Sequence, residues 1–203
     1  MALYPTEQWL AAYKDRLDNS EALDEAGAGW GVDFDGDIYF VITDVPVSET
    51  TLGDLPDEAM AGLPDRLRDQ LADIPLDAAN ELIGEEVRAE LPEKSRDLLR
   101  QLDEYIVDGT VYAFIGLKDG GCEEVAVVED PAERDVGFRL RGTHETWSAL
   151  VDGDREPIPA AMSGDLEVEG DMGTILQYSD ATALLGEIAA EVETTHLFER
   201  ADQ

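Results

Sequence analysis

The sequence predicts an α+β fold, and three observations carry that reading. Two apolar, β-rich runs at 111–117 and 122–128 are joined by Lys118-Asp119-Gly120-Gly121, the signature of a hairpin. Val136, Phe138 and Leu140 alternate with Gly137, Arg139 and Arg141, the period of a strand with one buried and one wet face. Leu98, Leu99, Leu102, Tyr105 and Ile106 recur at helical spacing, as do Leu184, Leu185, Ile188 and Val192, so amphipathic helices are available to cover a sheet. A length of 203 residues suggests one domain or two small ones, and such a chain can bury about 70% of its unfolded surface.

The elements follow in order. Thr6 caps a first helix, with Glu7 in its first turn and Trp9, Leu10, Tyr13 and Leu17 on one face. A short second helix is predicted over 20–26, ended by Gly27, Gly29 and Gly31. Trp30, Val32 and Phe34 then alternate with polar or glycine positions, and 38–42 is continuously apolar, so one long strand or a hairpin is expected over 30–42. Residues 48–107 read as helical. Pro56-Asp57, Pro64-Asp65, Pro75-Leu76-Asp77 and Pro92-Glu93 each set a proline in a first turn and an acid at the positive end of the helix dipole. The run at 111–117 is apolar on both faces, which places it inside the sheet. Residues 143–151 form a short helix with Trp147, Leu150 and Val151 inward, and Pro157 opens another that runs to Met162 and closes at Gly164. A last strand is expected over 165–169 with Leu166 and Val168 inward, then a helix carrying Met172, Ile175 and Leu176, a final amphipathic helix, and a tail over 196–203.

Composition excludes several classes of function. The chain holds 48 acidic and 14 basic residues, a formal charge of −34. Nucleic acid and anionic membrane surfaces both require clustered cations, so neither is an expected partner. The acid is spread along the chain and not gathered in one loop, which reads as adaptation to a salt-rich solution in preference to a cation-binding protein. The apolar run at 38–42 is far too short to span a bilayer, so no stable membrane insertion is expected. The segment Met1-Ala2-Leu3-Tyr4-Pro5 lacks a basic region followed by an apolar stretch, so the expected location is the cytoplasm.

Little in the sequence points to catalysis. It contains no Gly-x-Ser-x-Gly elbow, phosphate loop or dinucleotide fingerprint. The single cysteine, Cys122, lies beside Glu123 and Glu124 and reads as inert; alone it builds neither a disulfide nor a cysteine zinc site. His144, at a helix start, is assigned a surface or capping role, and His196 falls in the tail. In Asp33-Phe34-Asp35-Gly36-Asp37 the acids alternate, but Gly36 and Asp44 fall at positions four and twelve of a loop that needs Gly at six and Glu at twelve; a turn is expected, not a calcium site. Arg134, Arg139, Arg141 and Arg155 are expected to pair with Glu133, Asp135, Glu145 or Asp154. No metal or cofactor is expected.

One ordered pattern does point to function. It runs Val111-Tyr112-Ala113-Phe114, Lys118-Asp119-Gly120-Gly121 and Val136-Gly137-Phe138-Arg139-Leu140. It continues through Glu145-Thr146-Trp147-Ser148-Ala149-Leu150-Val151-Asp152-Gly153 and Pro157 to Met162-Ser163-Gly164-Asp165-Leu166-Glu167-Val168-Glu169-Gly170-Asp171. This order resembles the sterol carrier protein type 2 family, densest over 109–190, and the opening Tyr4-Pro5-Thr6-Glu7-Gln8-Trp9-Leu10 with Gly29-Trp30 resembles its microbial members. With its acidity, the chain looks like a haloarchaeal-like member. The resemblance implies one domain, 1–203: a mostly antiparallel five-stranded sheet covered by helices, with an apolar tunnel between sheet and C-terminal helices; the helical stretch 48–107, inserted after the first strand, departs from the family's pattern. It also implies binding or transfer of a lipid-like ligand, such as a fatty acid, isoprenoid or sterol-like molecule, with no catalytic residues.

A lipid site is a core with a piece missing, so its wall should be apolar. The periodicities nominate Phe138, Leu140, Trp147, Met162, Leu166, Met172, Leu176 and Leu185 as ligand-binding residues, with methionine suited to varied ligand shapes. The alternative is a protein-interaction module of the same fold with a closed pocket. An enzyme acting on a lipid ranks last, because no motif supports it.

Overall fold

The structure is a computed structural model that describes residues 1–198. The chain opens with β1 (Ala2–Tyr4), α1 (Glu7–Asp18), α2 (Glu21–Ala26) and β2 (Ile38–Thr43). Four helices follow: α3 (Asp65–Leu71), α4 (Ala79–Leu82), α5 (Glu85–Glu90) and α6 (Glu93–Tyr105). Then come β3 (Val111–Lys118), β4 (Gly121–Val128), β5 (Phe138–Thr143), α7 (His144–Val151) and α8 (Pro157–Ser163). The last elements are β6 (Glu167–Glu169), α9 (Met172–Gln177), α10 (Ser179–Ala190) and β7 (Thr194–His196).

The five-stranded sheet has the order β4-β3-β2-β5-β6. Three of its pairings are antiparallel, but β2 and β5 run parallel, so the sheet is mixed where the expectation was only "mostly antiparallel". The β3–β4 hairpin turns at Asp119 and Gly120, both at positive φ (50° and 82°), the backbone that lets two twisted strands meet in two residues. Register lines up one row of side chains across three strands: Phe40 stands opposite Ala113 on one side and Leu140 on the other. Because side chains alternate along a strand, Ile38, Phe40 and Ile42 share that face, while Tyr39 and Val41 pack with Phe114 and Val128 on the other.

The strand expected over 30–42 is shorter than its pattern. Only 38–43 is strand, and Val32 is exposed. The cause is Trp30, whose indole N–H donates to the Gly36 carbonyl at 2.7 Å and folds the loop back on itself. A Cβ at Gly36 would come within 2.6 Å of that indole, so the turn requires glycine there. The Trp30 ring then packs against Phe34, Phe138 and Tyr178 with centroids 5.3, 5.1 and 5.4 Å away.

Helix starts are mostly where capping chemistry puts them. Thr6 accepts from the Trp9 N–H, Ser20 from Leu23 and Thr143 from Thr146. Pro64 and Pro92 stand just before α3 and α6, whereas Pro75 leads into a 3-10 turn and Pro56 into a turn only. Leu52, Leu63, Leu67, Leu91, Leu98 and Leu102 of this helical stretch join the main core.

The expected tail is partly ordered into the fold. β7 pairs in parallel with β1, the Leu197 N–H donates to the Tyr4 carbonyl at 2.9 Å, and Leu197 and Phe198 are buried. Residues 199–203 of that tail lie outside the described residues. Among the described residues, no helix is long and apolar enough to cross a membrane.

Candidate apolar ligand site

The face of the sheet that carries Phe40, Ala113 and Leu140 is covered by α1, α7 and α10, and the covering is incomplete. A cavity of about 60 Å³ lies between the sheet and the helices, walled by Tyr13 of α1, Phe40, Leu140, Trp147 of α7, Leu166 and Leu185 of α10. A second hollow of about 30 Å³ lies toward the other end of the same face, walled by Trp30, Ile38, Leu117, Phe138 and Ile175. Leu140, Thr182 and Leu185 line both.

No acidic or basic side chain lines either hollow. Most polar atoms on the wall are bonded to the protein. The Tyr13 hydroxyl donates to the Leu185 carbonyl at 2.9 Å, the Trp147 indole N–H to the Val41 carbonyl at 3.0 Å, and the Thr182 hydroxyl to the Tyr178 carbonyl at 3.1 Å. Trp9 donates to the Thr194 hydroxyl at 2.8 Å and Thr6 to the Leu3 carbonyl at 2.5 Å. Among the described residues the Tyr4 hydroxyl has no partner, and it is buried. Burial is also the main reason that the Tyr4 and Tyr13 phenols are pushed well above the ordinary tyrosine range, so both remain neutral. Such a wall offers an organic guest dispersion contacts and shelter from water, with no ionic anchor.

The nominated residues divide into two groups. Leu140, Trp147, Leu166 and Leu185 line the larger cavity, and Phe138 lines the smaller one beside Leu140 and Leu185. Met162, Met172 and Leu176 line neither, being 80%, 37% and 51% exposed. The geometry of short helices explains the difference for Met162 and Leu176. In α8 the inward residue is Ala160, and Met162 two positions on projects to the far side; in α9 the inward residue is Ile175, and Leu176 is rotated by about 100°. The wall also includes Trp9, Tyr13, Phe40 and Pro157, which the periodicities do not nominate. The stripe on α1 and the apolar run of β2 are visible signals, but nothing local ties them to this cavity.

The other chemical candidates lie elsewhere. His144 is not a surface residue: it is 4% exposed, its Nε2 lies 3.4 Å from the fully buried Ser148 hydroxyl, and Tyr4 and Phe198 flank its ring. Its burial follows from Tyr4 and Phe198, brought over it by the β1–β7 pair. His196 Nε2 meets Asp152 at 2.7 Å. Neither His144, Ser148 nor His196 lines a hollow. Cys122 is buried on β4, and desolvation pushes its thiol up to about 12. Arg134, Arg139 and Arg155 are ion-paired, but with Glu124, Glu169 and Asp165, at 2.7, 3.7 and 3.0 Å, and not with the sequence neighbours expected. Strand pairing supplies one of these partners, since Arg139 faces Glu169 in the β5–β6 register.

Comparison with known proteins agrees with this architecture. Residues 85–182 match the model of the SCP-2 sterol transfer family. The matched segment holds most of the sheet, α7, α8, α9 and the start of α10, and it begins inside the stretch expected as an insertion. A crystal structure of sterol carrier protein 2 is 21% identical, covers 92% of this chain and 97% of its own, and superposes with a TM-score of 0.55. The solution structure of a conserved hypothetical protein from Thermus thermophilus, described as possibly a sterol carrier protein, is also 21% identical, covers 94% and 90%, and gives 0.56. The chain therefore has an SCP2-like α+β fold. No curated protein matches it.

Proposed function

We propose that this protein is a carrier of the sterol carrier protein type 2 kind, which takes the hydrocarbon part of a lipid between its sheet and α10 and performs no chemistry on it. The observation that carries this reading is the uncharged hollow walled by Phe40, Leu140, Trp147 and Leu185, in a chain whose surface is densely acidic. An unpaired carboxylate or phosphate inside that wall would meet a large desolvation cost, so a polar headgroup stays at the rim and only the apolar part enters. A fatty acid, an isoprenoid and a sterol-like molecule all have such a part.

The resting cavity of about 60 Å³ is smaller than the roughly 150 Å³ hollow that accepts benzene in an engineered protein, so uptake requires the wall to open. The same small volume favours a second reading, an interaction module whose pocket stays closed. Solvent extraction and native mass spectrometry of protein purified in high salt separate the two. A stoichiometric lipid supports the carrier. A clean mass, with no uptake of a fluorescent fatty acid, supports the closed module.

A further inference from the structure

We propose that Leu140 and Leu185 form an internal stop that grades linear ligands by length. This rests on the carrier reading and adds to it which residues set the ligand's reach. The two hollows lie end to end on one face of the sheet. Along β2, Phe40 and Ile42 belong to the larger and Ile38 to the smaller; along β3, Val111 and Ala113 belong to the larger and Leu117 to the smaller. Along α10 the same order appears, with Ala189 and Gly186 over the larger and Ala181 over the smaller. From Val111 to Leu117 is six residues of strand, about 20 Å. A single track thus runs under α10, interrupted where Leu140 from the sheet and Leu185 from the helix meet it from opposite sides.

Three residues, Leu140, Thr182 and Leu185, line both hollows, and the two leucines carry the bulky side chains between them. The Leu185 carbonyl accepts from the Tyr13 hydroxyl of α1 at 2.9 Å, so α10 is tied to α1 at this point. What remains adjustable is the leucine rotamer, which has discrete alternatives. A chain one methylene wide opens the track by turning Leu185 and Leu140 in place. A rigid fused-ring molecule needs α10 itself to withdraw from a close-packed interior. A short chain, once the wall has opened to admit it, occupies the larger hollow and ends at the stop; a longer chain displaces the stop and enters the hollow beside Trp30 and Phe138.

The test compares decanol with hexadecanol, titrated by native mass spectrometry and by tryptophan fluorescence. Each buried methylene is worth about fourfold in affinity, so two methylenes admitted past the stop give about tenfold or more. Leu185→Ala is expected to raise hexadecanol affinity at least about tenfold while decanol changes by less than about threefold. Leu140→Ala opens the track from the sheet side and is expected to do the same, which keeps the test intact if one variant folds poorly. Met162→Ala, on the exposed side of α8, is expected to change neither alcohol. If both leucine variants shift the two alcohols equally, the stop is overturned and the carrier reading stands. If no form of the protein binds either alcohol, the carrier reading falls and the stop with it.

Discussion

The Tyr13 hydroxyl donates to the Leu185 carbonyl at 2.9 Å, joining α1 to α10 across 172 residues of sequence. Both side chains also line the larger cavity, so this bond clamps the wall of the site as well as the fold. Tyr13→Phe keeps the ring and removes the clamp. A buried hydrogen bond is worth about 1 kcal/mol net, and the stability measured by denaturant titration at high salt should fall by that amount. Amide exchange near Leu185 and Ala189 should quicken more than elsewhere. Unchanged stability with unchanged exchange would mean that the bond holds nothing.

The sequence nominates Leu166 and Met162 together, and the structure separates them. Leu166 is buried against the cavity, while Met162 is mostly exposed. Leu166→Ala should destabilise by about 2–5 kcal/mol and Met162→Ala by no more than about 0.5 kcal/mol. Equal effects in chemical denaturation would contradict the orientation of α8 and the segment that follows it.

Cys122 should be silent to aromatic disulfide reagents in the folded protein near neutral pH and react once the protein unfolds. Burial is the main cause that lifts its thiol from an ordinary 9.0 to about 12. The sign follows from proton binding. Between those values the unfolded chain has lost the proton and the folded chain keeps it, so stability is fully present below about 9 and declines as pH rises toward 12. The difference between the wild type and Cys122→Ala should isolate this contribution. A wild-type thiol that reacts fully while the protein is folded would refute its burial.

Salt should decide whether the chain stays folded. A charge of −34 on a chain of 203 residues repels itself over a Debye length of about 10 Å at 0.1 M salt, which contracts to about 3 Å at 1 M. Circular dichroism should show loss of structure, or a lower melting temperature, as salt is dialysed from molar to tens of millimolar. A spectrum and melting curve that ignore this change would remove the salt-adaptation reading.

Legibility in the sequence tracks how local the responsible physics is. The α1 cap at Thr6, the β3–β4 turn at Asp119-Gly120 and the closing Gly164 of α8 depend on a few neighbouring residues, and all appear where the sequence places them. The failures are tertiary. Trp30 has the pattern of a strand residue, but its indole closes on Gly36; His144 has the pattern of an exposed cap, but β1 and Phe198 come over it. Arg134 finds Glu124 across a loop, not the adjacent Glu133.

By itself, the sequence determined an acidic α+β protein with an apolar sheet face and amphipathic helices to cover it, because periodicity and capping are properties of adjacent residues. It also nominated Leu140, Trp147, Leu166 and Leu185, each on an inward stripe. Only the tertiary structure decided that β2 runs parallel to β5, that Tyr13 and Phe40 share a wall with them, and that Met162, Met172 and Leu176 do not. A hollow has no sequence signature: the same apolar side chains would fill a closed core, and the space left between them depends on how closely the helices settle on the sheet.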